Sequence, residues 1–146
     1  MFRPTYDPEL FYHWHKVPTR FRDLDPLNHT NNAVFNTYFE EARIGFTYSI
    51  PELVESLNQG FAFVLVKSTI EYLKPITYPS TLLIGSGILE LGNTSVIAIQ
   101  AIFEESTKQL HSVAEVKGVW YDSRTKRPAK VPQVHNLDKL LVNMEN

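Results

Sequence analysis

Apolar residues recur at helical spacing between positions 33 and 49. Because each helical residue advances about 100°, side chains three and four positions apart share a face. The pattern predicts a long, largely buried helix that ends before Pro51, since the residue preceding a proline is pushed out of the α region. A second stripe of this helix is polar. The buried face contains Phe35, Tyr38, Phe39, Ala42, Phe46 and Ser49, and the polar stripe contains Asn36, Glu40, Arg43 and Thr47.

The chain on either side of this helix changes to other patterns. A short helix is expected at 51–58, because Pro51 suits a first-turn position and Gly60 closes it. After Gly60 the hydrophobic period becomes two, which indicates strands. Residues 1–12 are expected to be an extended lead-in, and residues 134–142 a short terminal helix. Strands are expected at 13–22, 63–72, 81–91, 95–103 and 110–121, with a hairpin turn at Gly92-Asn93.

One long helix and one antiparallel meander predict an α+β fold of two layers. Pro18 cannot donate a hydrogen bond to a neighbouring strand, so the first strand is expected at a sheet edge. Gly85 and Gly87 are expected to mark a bulge or a close backbone approach. The 146 residues are enough for one domain with its own core, and we expect residues 1–146 to form a single domain.

Composition excludes several classes of function. The net charge of −2 does not recommend a nucleic-acid-binding surface. Cysteine is absent, so disulfides, thiol catalysis and cysteine metal sites are excluded. The five histidines have no spacing typical of a metal site, and we expect neither a metal nor a cofactor. No apolar stretch of about 18 residues predicts a membrane span, and without a visible secretory signal a cytoplasmic location is expected.

The candidate chemistry lies in the polar loop at 23–32, directly before the long helix. Asp25 is a carboxylate that can activate water or attack a carbon atom. Thr30, Asn31 or Asn32 can cap the helix, whose free N–H groups favour negative charge and polarise carbonyl oxygens. A carboxylate beside a helix start supplies two parts that acyl-group hydrolysis needs. Asp25 can equally be an ordinary turn residue before Pro26.

The loop and helix resemble the hot-dog-fold acyl-CoA thioesterases of the 4-hydroxybenzoyl-CoA thioesterase type. The shared pattern is an Asp, then His and Asn-Asn, then Tyr-Phe-Glu-x-Ala-Arg. The segments 71–76 and 119–122, with Arg127-Pro128, look like strand ends of the same family. The motif residues here are Asp25, His29, Asn31, Asn32, Tyr38, Phe39, Glu40, Ala42 and Arg43.

This resemblance implies a five- or six-stranded antiparallel sheet wrapped around one long central helix. It also implies a homodimer or homotetramer with active sites between subunits. The position matching Asp25 is catalytic in the family, and the N–H matching Asn32 points at the thioester oxygen. The loop Leu27-Asn28-His29-Thr30 departs from the hydroxybenzoyl enzyme and is closer to broader acyl-CoA and acyl-carrier-protein thioesterases.

Other residues keep two interpretations each. His29 either is satisfied by the loop backbone or orients Asp25, water or the acyl carbonyl. Glu40 either pairs with Arg43 or is the catalytic carboxylate, as in another branch of hot-dog thioesterases. Asn28 and Asn31 hold the loop shape or bind water and substrate, while Tyr38 packs the core or walls an acyl tunnel. Four basic residues are candidate partners for coenzyme A phosphates, or else solvated: Lys67, Lys74, Arg124 and Arg127.

The sequence therefore predicts an acyl-CoA thioesterase that releases free acid and CoA, with Asp25 as nucleophile or general base. The substrate is expected to be an acyl-CoA or an acyl-carrier-protein thioester. Two alternatives stay open: a hot-dog hydratase or dehydratase acting on acyl thioesters, and a non-catalytic acyl-thioester-binding protein.

Overall fold

The computed structural model describes residues 6–144, and its core is one antiparallel sheet with a long helix packed against it. The helices are α1 (Asn32–Tyr48), α2 (Pro51–Asn58) and α3 (Leu137–Leu140). The strands are β1 (His13–Pro18), β2 (Phe61–Tyr72), β3 (Thr81–Leu91), β4 (Ser95–Glu104), β5 (Leu110–Asp122) and β6 (Arg127–Pro128). Single 3₁₀ turns cover Pro8–Leu10 and Phe21–Asp23.

The strand order in the sheet is β1-β3-β4-β5-β2, with the two-residue β6 paired to the end of β5. The strands β3, β4 and β5 form the predicted meander, while β1 and β2 occupy opposite edges. This is the predicted α+β hot-dog architecture, with six antiparallel strands. Within residues 6–144, the long strand β2 follows the helices in sequence but pairs only with β5, nearer the other end of the chain.

The predicted buried face of α1 is confirmed, with one exception. Phe39 and Ala42 are fully buried, and the same core contains Leu82, Ile84 and Ile102 from the sheet. Ser49 is wrong as a buried position: it is exposed and caps the helix end. Gly45 allows β1 to lie close to α1, because a Cβ there would lie 3.0 Å from Nδ1 of His15.

Several predicted boundaries need correction. The first strand ends at Pro18 rather than at position 22, because the chain then enters the 3₁₀ turn that leads into the polar loop. The lead-in is not wholly extended, since Asp7 caps a turn over Pro8–Leu10; residues 1–5 lie outside the described part of the chain. The terminal helix is shortened to Leu137–Leu140.

The glycines of β3 fit the predicted close approach. A Cβ at Gly85 would lie 2.5 Å from Cγ of Phe11, and a Cβ at Gly87 would meet the side chain of Val142. The register shift of β3 lies further on, between Ile88 and Glu90.

Candidate active site

The polar loop is a compact, internally hydrogen-bonded turn. The N–H of Asp25 donates to the carbonyl of His29 at 2.8 Å, and the N–H of Asn28 donates to the carbonyl of Asp25 at 3.0 Å. Asn28 has a φ of 62°, a left-handed conformation that asparagine tolerates better than most residues. The N–H of Thr30 donates to the carbonyl of Ile76 at 2.8 Å, which fixes the loop against the segment after β2.

Asp25 combines the turn role with a free carboxylate oxygen. Its Oδ1 accepts from the N–H of Leu27 at 2.9 Å and from the N–H of His29 at 3.3 Å. These bonds fix the orientation of the carboxylate. In the described part of the chain Oδ2 takes no hydrogen-bond partner, so it remains available to a ligand.

The start of α1 presents a free amide beside this carboxylate. Asn31 is the N-cap, because its Oδ1 accepts from the N–H of Ala33 at 2.9 Å. Among residues 6–144, no hydrogen bond uses the N–H of Asn32. An unpaired N–H at the first turn of a 17-residue helix is a donor suited to a carbonyl oxygen or an anion.

Asp25, His29 and Asn32 line one cavity of about 300 Å³ at the loop, the helix start and the end of β2. Lys74 supplies a positive charge at its edge. Its apolar wall consists of Leu27, Phe35, Tyr72, Leu73 and Pro75. Within this wall the rings of Phe35 and Tyr72 meet edge to face, with centroids 5.0 Å apart. The hydroxyl of Tyr72 donates to the carbonyl of Asn32 at 3.3 Å, which joins β2 to the helix start.

The other predicted site residues lie elsewhere in the described chain. Tyr38 is only 2% exposed, and its hydroxyl donates to Oδ2 of Asp23 at 2.8 Å, so it is a core residue rather than a cavity wall. Glu40 is exposed in a groove between α1 and β2, eight residues or about 12 Å along the helix from Asn32. Asn28 and Asn31 shape the loop, which is one of the two roles expected for them.

The basic candidates separate into two groups. Lys74 lies at the cavity, whereas Lys67 is exposed near the bulge of β2. Arg124 and Arg127 lie at the Phe61 end of β2, where Arg124 contacts Asp122 through Nε at 3.3 Å. Within one chain, that end is eleven residues, or about 36 Å, from Tyr72 at the cavity.

Two further features bear on the class of site. Residues 6–144 contain no group of three or more His, Asp or Glu side chains arranged to hold a metal ion. In the same part of the chain, no helix combines the length and apolar character that crossing a bilayer requires.

Comparison with known proteins identifies the family. The sequence model of the thioesterase-like superfamily matches residues 19–139. The chain therefore belongs to this superfamily, and the predicted enzyme class, a thioester hydrolase, is confirmed. The matched segment includes the loop, α1 and all strands except β1.

Individual relatives agree with this assignment. The chain is 29% identical over 112 residues to the long-chain acyl-CoA thioesterase FadM of Escherichia coli K12, covering 77% of this chain and 85% of that protein. The structure of a Thermus thermophilus thioesterase complexed with coenzyme A and Zn is 30% identical, with a TM-score of 0.71 over 89% of this chain and 97% of that one. The probable thioesterase YbaW of Escherichia coli is 25% identical, with a TM-score of 0.73 over 89% and 98%. These relatives do not single out the 4-hydroxybenzoyl-CoA type.

Proposed function

We propose that this protein hydrolyses acyl-CoA thioesters, with Asp25 as the catalytic carboxylate and the N–H of Asn32 as the donor to the thioester carbonyl. The observation that carries the proposal is that Asp25, His29 and Asn32 line one cavity at the start of α1. The free Oδ2 of Asp25 and the unpaired N–H of Asn32 are the two groups that acyl transfer to water requires.

Two routes fit this pair of groups. In the first, Asp25 removes a proton from water, whose oxygen adds to the carbonyl carbon. In the second, Oδ2 adds to that carbon and forms an anhydride, which water then opens. In both routes the carbonyl oxygen gains negative charge beside the helix start, the carbon–sulfur bond breaks, and the thiolate takes a proton. A donor of this type lowers the activation free energy by about 3–4 kcal/mol in other enzymes. We assign His29 and Lys74 to positioning water and substrate at the cavity edge.

The proposed assembly is a homodimer formed through the exposed edge of β2. This strand has 12 residues, its second edge is unpaired within the described chain, and its middle carries exposed apolar side chains. Val66 is 62% exposed, and Val64 and Leu65 are 42% and 43% exposed. A long apolar edge strand is a template for pairing with another chain, and a two-fold axis pairs the same strand from two copies.

This dimer also gives the basic loop a role. If two antiparallel β2 strands pair about a centre between Val66 and Lys67, Phe61 of the second copy faces Tyr72 of the first. The loop that carries Arg124 and Arg127 then approaches the cavity of the other chain, although it lies about 36 Å from its own. We propose that this loop binds the phosphates of coenzyme A across the dimer.

Thiol release from a panel of acyl-CoA esters tests the function, with long acyl chains included because FadM is a long-chain enzyme. Asp25→Asn is the decisive variant, since an amide oxygen keeps the turn bonds from Leu27 and His29 while the charge is lost. We expect kcat to fall by about 10²–10⁴, while the exposed Glu55→Gln on α2 retains the wild-type rate. A wild-type rate in Asp25→Asn contradicts the assignment. Hydration of a 2-enoyl thioester without thiol release supports a hydratase instead.

A further inference from the structure

A second, smaller cavity lies at the C-terminal half of α1. It has a volume of about 60 Å³ and shares no lining residue with the Asp25 cavity. Its wall comes from α1, α2, the sheet and the segment before α3, and includes Phe46, Leu53, Phe63, Ile88, Trp120 and Val134. Arg43 at its wall is eleven residues after Asn32, which places it about 17 Å further along the helix.

Among the described residues that line this cavity, Arg43 is the only charged one. Its Nη1 donates to Oε1 of the fully buried Gln100 at 3.3 Å. The orientation of this amide is fixed, because Nε2 of Gln100 donates to the carbonyl of Phe39 and to Oγ of Ser86, each at 3.0 Å. The neighbouring Thr47 hydroxyl is already used, since it donates to the carbonyl of Arg43 at 2.9 Å.

The guanidinium of Arg43 is half-buried and uses few of its hydrogen-bond donors. None of the ion pairs formed among residues 6–144 includes it, and a guanidinium has five N–H donors. Burial lowers the pKa of Arg43, and the charge of Glu40 only partly opposes this effect. A planar fork with spare donors, set in an apolar wall, is complementary to a carboxylate that carries a small hydrocarbon body.

We propose that this cavity is a second binding site, which takes a short-chain aliphatic carboxylate. The carboxylate pairs with Arg43, and the hydrocarbon body fills the space beside Phe46 and Trp120. A volume of about 60 Å³ corresponds to roughly two water-sized groups, which suits the two-carbon body of propanoate while its carboxylate stays on Arg43. A longer chain would extend into the groove that shares Arg43, Thr47 and Phe63 with the cavity.

Binding at this site does not use Asp25, although Phe63 of its wall lies on β2, the strand of the proposed dimer. It can therefore be measured in a protein that hydrolyses nothing, and the failure of either proposal leaves the other standing.

Trp120 supplies the readout, because its ring lines the cavity and is 2% exposed. The other tryptophan, Trp14, packs against Phe11 and Phe103 elsewhere and is removed by Trp14→Phe. Butanoate is titrated into the full-length Trp14→Phe protein at constant ionic strength while the emission of Trp120 is followed. We expect a saturable change in this emission. The dissociation constant of the neutral butanamide should be at least about tenfold higher than that of butanoate.

Variants separate charge from shape. Arg43→Met keeps an unbranched apolar stem without the guanidinium, and we expect it to weaken the binding of butanoate by about tenfold or more. Arg43→Lys, which keeps the charge without the fork, should retain part of the binding. Ala98→Leu fills the cavity from β4 and should abolish the titration. Asp25→Asn should bind as the parent does.

Three results overturn the proposal: a flat titration in the parent, equal affinity for butanoate and butanamide, or undiminished binding in both Arg43→Met and Ala98→Leu. A flat titration together with dissociation of Arg43→Met into monomers would mean that the guanidinium of Arg43 binds an anionic group of a second copy instead.

Discussion

The hydroxyl of Tyr38 donates a 2.8 Å hydrogen bond to Oδ2 of Asp23, and this bond joins the middle of α1 to the start of the polar loop. Asp23 is 4% exposed and also accepts from Nε and Nη2 of Arg20 at 3.0 and 2.8 Å. Its main-chain carbonyl accepts from the N–H of Asn31 at the other end of the loop. One buried aspartate thus fixes both ends of the loop that presents Asp25.

Removing the Tyr38 hydroxyl should loosen this loop. In Tyr38→Phe, Asp23 loses one of its partners while the ring still fills the core, so we expect a loss of about 1–3 kcal/mol in the free energy of unfolding. Because Tyr38 is a core residue that does not line the Asp25 cavity, the rate defect should appear mainly in kcat. Urea unfolding and thiol-release kinetics measure both quantities. Tyr12→Phe, at a 64% exposed tyrosine, is the matched control; equal effects of both substitutions would contradict this role.

The ionisation of Asp23 should make stability depend on pH. Burial by itself raises the pKa of Asp23, but hydrogen bonds from Arg20 and Tyr38, with the charges of Arg20 and Arg22, lower it below its ordinary value. A carboxylate with a lowered pKa in the folded state contributes stability above its unfolded pKa of about 3.9. That stability is lost as the pH falls from there through the folded pKa.

Asp23→Asn isolates this contribution. We expect the free energy of unfolding of the variant to be lower than that of wild type at pH 6. This difference should narrow when urea unfolding is repeated near pH 3. Glu55→Gln, at an exposed carboxylate, should show little difference at either pH. A difference for Asp23→Asn that is the same at both pH values would mean that the charge of Asp23 contributes nothing.

The sequence predicts the helices and strands better than it predicts which strands pair with each other. The face of α1 follows from side-chain periodicity, which is why Phe35, Phe39 and Ala42 are buried as expected. Alternation in β2 indicates a strand, but alternation carries no information about which strand it pairs with. The early end of β1 depends on a contact 61 residues away, where the N–H of Thr19 donates to the carbonyl of Ser80.

In the candidate site too, the residues that are close in sequence were predicted, and the distant ones, apart from Lys74, were not. Asp25, His29 and Asn32 are close in sequence, so their meeting at the helix start was predictable from the loop alone. The wall formed by Tyr72 and Pro75 was missed, because only the folded sheet brings the end of β2 to that loop. Tyr38 was expected either to pack the core or to wall an acyl tunnel, and its core role depends on the buried Asp23 that accepts from its hydroxyl.

Gly85 should not tolerate a side chain. A Cβ at this position of β3 would lie 2.5 Å from Cγ and 2.9 Å from Cβ of Phe11, and these atoms next to the backbone cannot swing away. We expect Gly85→Ala to lower the free energy of unfolding by about 1–3 kcal/mol. Gly92→Ala is the control, since its new methyl group meets mainly the rotatable hydroxyl of Ser95. Thermal and urea unfolding should rank the two variants, and the reverse order would contradict the packing argument.

The proposed dimer should depend on the middle of β2. Val66 is 62% exposed at the bulge, and a two-fold axis beside it brings both copies of any new charge together. Val66→Asp should therefore shift the protein toward monomers in sedimentation velocity, with activity falling in parallel because coenzyme A loses the partner's loop. Tyr12→Asp alters a comparably exposed residue away from β2 and should leave the mass unchanged. An intact dimer in Val66→Asp would place the interface elsewhere.

Subunit complementation distinguishes a basic loop that serves the other chain from one that serves its own. Arg127→Glu should raise KM with little change in kcat, because the loop is proposed to hold only the phosphates. In a mixed dimer of Asp25→Asn with Arg127→Glu, one cavity receives both defects and the other receives neither. After subunit exchange of equal amounts, about a quarter of the cavities should therefore regain wild-type KM and kcat. If the loop instead serves its own chain, every cavity keeps one defect, and mixing the two variants restores no site with both wild-type constants.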